Sequence, residues 1–237
     1  MKDILTASSI LADFFFDFCT KRGQLMTDLL EKLGLLGMVP VVKIDRSEDA
    51  VELGRALMAG GLPCAEITFR TEAAEEAIRR ISSSLPEIIV GAGTVLSADQ
   101  ADRAVSAGAQ FIVSPGFNQK VVDWCLQNEI PVTPGVVTPT EIDMALDRGL
   151  KILKFFPAEA MGGIATLKAI SAPYRGVKFI PTGGINQRNL ADYLAQPSVH
   201  CCGGSWLVEA NLISAGRFDE ITRLTKDAVS VVRLVRR

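Results

Sequence analysis

The sequence predicts an α/β fold, a (β/α)8 barrel of the TIM type forming a single domain behind an N-terminal helical extension. Short apolar runs alternate with amphipathic stretches from Met38 onward, and eight such runs recur at the spacing of successive βα units. The repeats fit a compact version of a fold that typically takes about 250 residues. A doubly wound open sheet is the competing architecture, and the lack of a GxGxxG string after the first run weakens its dinucleotide-binding form.

The first strand is expected over Val39–Ile44, with Ser47 capping a helix that opens on Glu48 and Asp49 and stops at Gly60 and Gly61. Cys64–Thr68 follows as the second strand, with Thr71 as the next cap. Ile88–Ala92 precedes a helix capped by Ser97 and ending at Gly108, and Phe111–Ser114 precedes one ending at Asn128. Val132–Pro134 leads to Thr138 before Pro139, a start signal for a helix that stops at Gly149. Ile152–Phe155, Lys178–Pro181 and Val199–Cys202 complete the eight strands, with Asn186 expected to cap the seventh helix. A last helix spans about residues 218–232, with Ile221, Leu224, Ala228 and Val231 on one face. Domain boundaries follow as an extension over residues 1–26 and a catalytic barrel over 27–237.

Composition narrows the functional classes. The 237 residues include 25 basic and 27 acidic side chains, so nothing points to nucleic acid or to an anionic membrane as a partner. No stretch approaches the roughly 20 apolar residues that span a bilayer. In the first 26 residues, Phe14, Phe15 and Phe16 sit between acidic neighbours and precede Lys21 and Arg22, the wrong order for a signal peptide, so an amphipathic helix is expected there. The five cysteines form no CxxC pair, and His200 is the one histidine, which leaves little for a zinc site. Cys201 and Cys202 point to opposite faces of a strand and make no redox pair. A reduced cytoplasm, no metal, no cofactor and a small-molecule partner fit best.

Ile152 to Pro157 places one lysine, Lys154, in an otherwise apolar run. Burial disfavours an ammonium and populates the neutral, nucleophilic amine that a Schiff base needs. A strand-end lysine reaching solvent, or a structural ion pair, is the bland alternative. Glu66, Thr68 and Arg70 share one side of the second strand's exit by the two-residue period, either as an acid/base group beside an anion clamp or as a structural ion pair. Gly91 to Thr94 ends the third strand with glycines that let a substrate approach the backbone beside the Thr94 hydroxyl. Thr182-Gly183-Gly184 after strand seven and Gly203-Gly204-Ser205 after strand eight occupy the two places where such barrels bind phosphate. There, consecutive N–H groups at helix N-termini can cradle a dianion; glycines that merely make turns are the alternative. Glu159, just beyond Lys154, is expected as an exposed loop carboxylate, and His200 as a packed or surface residue.

The strings EITFRTE, GAGTVL, FIVSPGF, KFFPAEAMGG, FIPTGGI and GGSWLV, in this order between Val39 and Val208, resemble the 2-keto-3-deoxy-6-phosphogluconate aldolase and 4-hydroxy-2-oxoglutarate aldolase family. The resemblance implies a class I aldolase. It would cleave 2-keto-3-deoxy-6-phosphogluconate to pyruvate and glyceraldehyde 3-phosphate, and also 4-hydroxy-2-oxoglutarate to pyruvate and glyoxylate. It implies Lys154 as the Schiff-base lysine, Glu66 as general acid/base, Arg70 and Thr94 on the substrate carboxylate, and Pro115 and Phe156 around the pyruvyl carbons. Thr182 would lie near the sugar hydroxyls, with Gly183, Gly184, Gly203, Gly204 and Ser205 around the phosphate. Lys43 lies near a position where family members carry a basic residue, although the VVKIDRSE stretch departs from the family pattern. A phosphorylated keto-acid substrate, no cofactor and a homotrimer are also implied. Two rivals remain: a phosphate-binding barrel epimerase or isomerase in which Lys154 is a hydrogen-bonding acid, and a non-catalytic phosphometabolite-binding barrel.

Overall fold

The structure, a computed structural model of the chain, describes residues 28–236, so the expected helical extension over residues 1–26 lies outside the described residues. A helix over residues 28–36 (α1) leads into β1 (Met38–Val42), α2 (Ala50–Ala59), β2 (Cys64–Thr68), α3 (Ala74–Ser84), β3 (Ile89–Gly93) and α4 (Ala98–Ser106). There follow β4 (Ile112–Val113), α5 (Gln119–Gln127), β5 (Val132–Thr133), β6 (Gly135–Val136), α6 (Pro139–Leu146), β7 (Ile152–Phe155) and α7 (Gly163–Ser171). The chain ends with β8 (Lys178–Pro181), α8 (Leu190–Leu194), β9 (Cys202–Gly204), α9 (Ala210–Ser214) and α10 (Phe218–Val235).

The strand pairings are parallel, in two ladders ordered β5-β4-β3-β2-β1-β9 and β6-β7-β8. The expected strand over Val132–Pro134 divides into β5 and β6 at Pro134, which has no N–H to give a ladder but accepts from the Lys154 N–H at 2.9 Å. Single bridges, Phe179 with Val199 and Thr182 with Gly203, connect β8 to the β9 segment. The result is a curled parallel sheet, and β1 and β2 are buried along their whole length, as strands covered on both faces must be. The last strand lies later than the apolar run at Val199–Cys202 because the backbone of Gly203 and Gly204 continues the ladder with no side chain to signal it.

Local signals were followed where a side chain had no better partner. Ser97 caps α4 by accepting from Gln100 N–H at 3.1 Å, and Thr138 forms a reciprocal capping box with Glu141. Three expected caps are corrected. The Ser47 region is a short 3-10 turn and α2 starts at Ala50 without a side-chain cap. The Thr71 hydroxyl donates to Ile44 C=O at 2.6 Å instead, and α3 starts at Ala74. Asn186 accepts from Arg188 N–H at 3.0 Å in a turn ahead of α8. At the end of α5 the left-handed residue is Glu129, φ +58, while Asn128 has φ −97. In α10, Thr225 and Val229 are buried while Leu224 and Val231 are only partly so; a Cβ on Gly60 would lie 2.4 Å from Thr225, so α2 admits this helix at a glycine.

Below the curled sheet, at the amino ends of the strands, α1 inserts Leu33, which is 1% exposed. His200 Nε2 bonds Leu30 C=O at 2.7 Å, and Arg236 donates to the carbonyls of Gly34, Val199 and His200. These contacts tie α1, the approach to β9 and the end of α10 together.

Candidate active site

Lys154 is the third residue of β7, between Leu153 and Phe155, which are fully buried. Alternation along the strand turns the lysine to the opposite face, into the interior of the curled sheet. There it is not solitary, as its apolar neighbours in sequence suggested: its Nζ lies 3.5 Å from Glu66 Oε1 on β2, with Lys154 5% and Glu66 4% exposed. Taking two charges out of water costs several kcal/mol per ion, about as much as their attraction returns, so such a pair contributes little net stability. It can exchange one proton between amine and carboxylate without solvent. Phe156 stands over the amine, Nζ 5.0 Å from the ring centroid.

β3 makes room for this pair. A Cβ on Gly93 would sit 2.0 Å from Glu66 Oε1, and one on Gly91 would sit 2.4 Å from the Phe111 ring. The two glycines, expected to let a substrate approach the backbone, accommodate the protein's own side chains. Thr94 then turns into the left-handed region at φ +57, a conformation that costs a β-branched residue on the order of 1–3 kcal/mol and that clusters at functional sites.

At the exit of β2 the Thr68 hydroxyl donates to Val42 C=O at 2.7 Å and accepts from Arg70 Nε at 2.9 Å. This tether aims an otherwise exposed guanidinium at the strand ends, and among the described residues no carboxylate pairs with it. Lys43, also exposed, is paired with Asp45 at 2.8 Å. Pro115 lines a broad hollow of about 990 Å³ with Leu96 and Phe117. The cavity that reaches the lysine is far smaller, about 10 Å³, and is bounded by Glu66, Thr133, Lys154 and Thr182 on its polar side and by Leu33, Val39 and Ile180 among the apolar residues.

The two glycine loops are neighbours, because Thr182 bridges Gly203. Gly183 and Gly184 have φ +95 and +87, and a Cβ on Gly184 would lie 2.5 Å from Glu159 Cγ. Gly203 is pressed against the buried Thr182 hydroxyl and Gly204 against the Trp206 ring, while Ser205 is exposed. Neither loop runs directly into a helix, contrary to expectation: α8 begins at Leu190 and α9 at Ala210. The first loop is held by Asn186, expected instead as a helix cap, and by Asn189, which the sequence did not single out. Asn186 Nδ2 and Asn189 Nδ2 donate to Gly184 C=O at 3.0 and 3.1 Å, which turns the following N–H to the other side of the trans peptide. Glu159, exposed as expected, accepts a hydrogen bond from the Tyr193 hydroxyl, and burial followed by this carboxylate pushes Tyr193 well above the ordinary phenol range. Asn189 and Tyr193 lie in the amphipathic stretch after the loop, where polar spacing alone reads as a solvated face.

The four described cysteines line neither the small cavity nor the glycine loops. Cys64, Cys125, Cys201 and Cys202 are free and buried, and burial pushes the Cys201 thiol up to about 12. No helix of the described residues is long and apolar enough to cross a membrane, and no cluster of metal-ligating side chains occurs among them.

The family model for KDPG and KHG aldolase matches residues 29–224. A 2-dehydro-3-deoxy-phosphogluconate aldolase of Treponema pallidum is 49% identical over 207 residues, 87% of this chain and 99% of that one. A KDPG aldolase of Legionella pneumophila, solved with pyruvate captured as a covalent carbinolamine, aligns with a TM-score of 0.81 at 40% identity, covering 84% of this chain and 97% of that one. The 2-keto-3-deoxy-6-phosphogluconate aldolase of Zymomonas mobilis, solved with 3-phosphoglycerate, aligns with a TM-score of 0.80 at 39% identity over 89% of this chain and 97% of that one.

Proposed function

The chain belongs to the KDPG and KHG aldolase family, and from that premise we propose that it is a class I aldolase, a lyase that cleaves 2-keto-3-deoxy-6-phosphogluconate to pyruvate and glyceraldehyde 3-phosphate through an imine on Lys154. The observation that carries this reading is the buried Lys154–Glu66 pair, 3.5 Å apart inside the curled sheet. An amine that passes its proton to Glu66 is free to attack the C2 ketone. Glu66 gives that proton to the carbinolamine hydroxyl, which leaves as water to form a protonated imine, an electron sink that needs no metal. Glu66, again a carboxylate, takes the C4 hydroxyl proton as the C3–C4 bond breaks, and returns a proton to C3 of the enamine before water releases pyruvate.

Arg70, held through Nε by Thr68, is proposed to pair with the substrate carboxylate together with Thr94, whose strained backbone supports a functional reading. Phe156 and Pro115 would flank the pyruvyl carbons and Thr182 the sugar hydroxyls. The adjacent loops at Gly183-Gly184 and Gly203-Gly204-Ser205 would hold the phosphate through backbone N–H groups and the Ser205 hydroxyl, as a nest and not as helix N-termini. Binding at that far end orients the chain without acting on the breaking bond. The bridges between β8 and β9 support a ring that closes as an eight-stranded barrel over residues 27–237. Action on 4-hydroxy-2-oxoglutarate, a homotrimer and a cytoplasmic location complete the proposal.

The test is borohydride trapping: the protein is incubated with pyruvate, reduced and digested, and the adduct is located by mass spectrometry. A pyruvyl adduct on Lys154 is expected. Its absence from folded protein overturns the mechanism in favour of a barrel that binds or isomerises phosphorylated sugars without covalent capture.

A further inference from the structure

The interior pair has a third polar neighbour that neither the motifs nor the mechanism uses. Thr133, on β5, is 2% exposed and lines the same small cavity as Glu66, Lys154 and Thr182. Its strand is held in register with β4, Val113 opposite Thr133, and its successor residue Pro134 accepts the Lys154 N–H, so the hydroxyl stands one strand away from the lysine on the inner face. Each of the other polar side chains around the cavity has a partner: Lys154 and Glu66 pair with each other, and the Thr182 hydroxyl donates to Ile180 C=O at 3.3 Å. Thr133 is different. Among the described residues its hydroxyl forms no hydrogen bond to the protein, yet no fully enclosed polar side-chain atom is left without one. The cavity is the open space that Thr133 lines, and a buried hydroxyl is costly unless something there accepts or donates to it.

A cavity of about 10 Å³ is close to the size that holds one water, and a site for such a water needs two to four polar partners. The geometry points to Thr133 as a positioning residue for the aldol chemistry. Its hydroxyl, through one shared water, fixes the Lys154 amine and the Glu66 carboxylate at their working separation. A valine there would fill the same space and leave the pair held by its own attraction alone. The inference rests on the Schiff-base reading and deepens it: it assigns a residue that acts on the reacting groups through a third molecule.

The test compares Thr133→Val and Thr133→Ser with the parent protein, each checked for folding by thermal melting. Two quantities are read, steady-state cleavage of 2-keto-3-deoxy-6-phosphogluconate and the rate at which borohydride captures pyruvate. Losing a hydrogen bond to charged groups predicts a fall in kcat and in capture rate of about tenfold in Thr133→Val, with KM within about twofold and Thr133→Ser close to the parent. A filler role would move the melting temperature and leave kcat alone. If Thr133→Val retains the parent kcat and capture rate, or if Thr133→Ser loses as much as Thr133→Val, the inference fails. Should the valine variant not fold, Thr133→Ala against Thr133→Ser makes the same comparison, and equal rates in the two overturn it. A parent protein that captures no pyruvate at Lys154 instead defeats the underlying mechanism, an outcome separate from equal capture by parent and variant.

Discussion

The two ends of the strands solve opposite problems with similar residues. At the amino ends, Arg236 and Lys178 bind carbonyls, His200 bonds Leu30 C=O, and Leu33 is buried against the curled sheet, so these polar groups are used up on the protein itself. At the carboxyl ends, Arg70 is tethered by one nitrogen and otherwise exposed, Thr94 holds a strained backbone, and two glycine loops lie side by side. Between them the Lys154–Glu66 pair is buried with little net gain in stability. One end holds the fold together and the other leaves its donors open, so substitutions at the two ends should fail in different assays.

The largest effect is expected at the pair. Lys154→Ala should abolish turnover and pyruvate capture together, measured by product formation and by mass spectrometry of the reduced protein; residual turnover at the parent rate would remove the lysine from the chemistry. Glu66→Gln should lower kcat by about 10²–10⁴-fold while still permitting an adduct at Lys154. At the opposite end, Leu33→Ala should lower unfolding stability by about 2–5 kcal/mol in urea titrations, through the cavity it leaves, with KM little changed. If that substitution altered KM as much as stability, the separation of the two ends would be wrong. Gly184→Val should raise KM for the phosphorylated substrate by about tenfold or more, since a Cβ there meets Glu159 and displaces the loop, while kcat falls less.

The smallest effect concerns pH and belongs to the closed end. Burial, with Arg236 and Lys178 adding repulsion against the attraction of the Leu30 carbonyl and Glu31, holds the His200 imidazole below its ordinary value. The native state therefore binds fewer protons than the unfolded chain, and stability is lost as pH falls from the unfolded imidazole value of about 6.5 toward the lower native one. Urea midpoints of the parent protein should drop between neutral and mildly acidic pH. His200→Gln should flatten that drop; an unchanged slope would assign it to carboxylates such as Glu75, which Arg103 and Arg79 hold below the usual range and which lose stability in the same direction at lower pH.

Much of the candidate site was legible because the residues proposed to act sit on strands or just beyond them, where the two-residue period and the glycines mark them in the sequence. Lys154 stood out from Ile152, Leu153, Phe155 and Phe156, and the paired glycines at 183–184 and 203–204 stood out by position in the series of strands. Residues that act through a partner distant in the chain were not legible. Gly93 looks like a glycine for substrate approach until Glu66, 27 positions earlier, is placed against it. Thr133 is a polar residue in a two-residue strand, a signal too short for any periodicity to assign to a face. Thr71 and Ser47 fit the cap pattern, but tertiary acceptors and a 3-10 turn took precedence.

By itself the sequence determined the alternation of strands and helices, the order in which chemistry-bearing residues follow along them, and which lysine and carboxylate to propose for the chemistry. These are local properties, written in periodicity and in residue types that are costly to bury. Only the tertiary structure decided that Lys154 and Glu66 face each other across the interior, that the two glycine loops touch, that Gly93 leaves room for Glu66, and that Thr133 lines the cavity beside the pair. Those relations join residues as many as 88 positions apart, and they come from the curl and register of a parallel sheet, which no local pattern encodes.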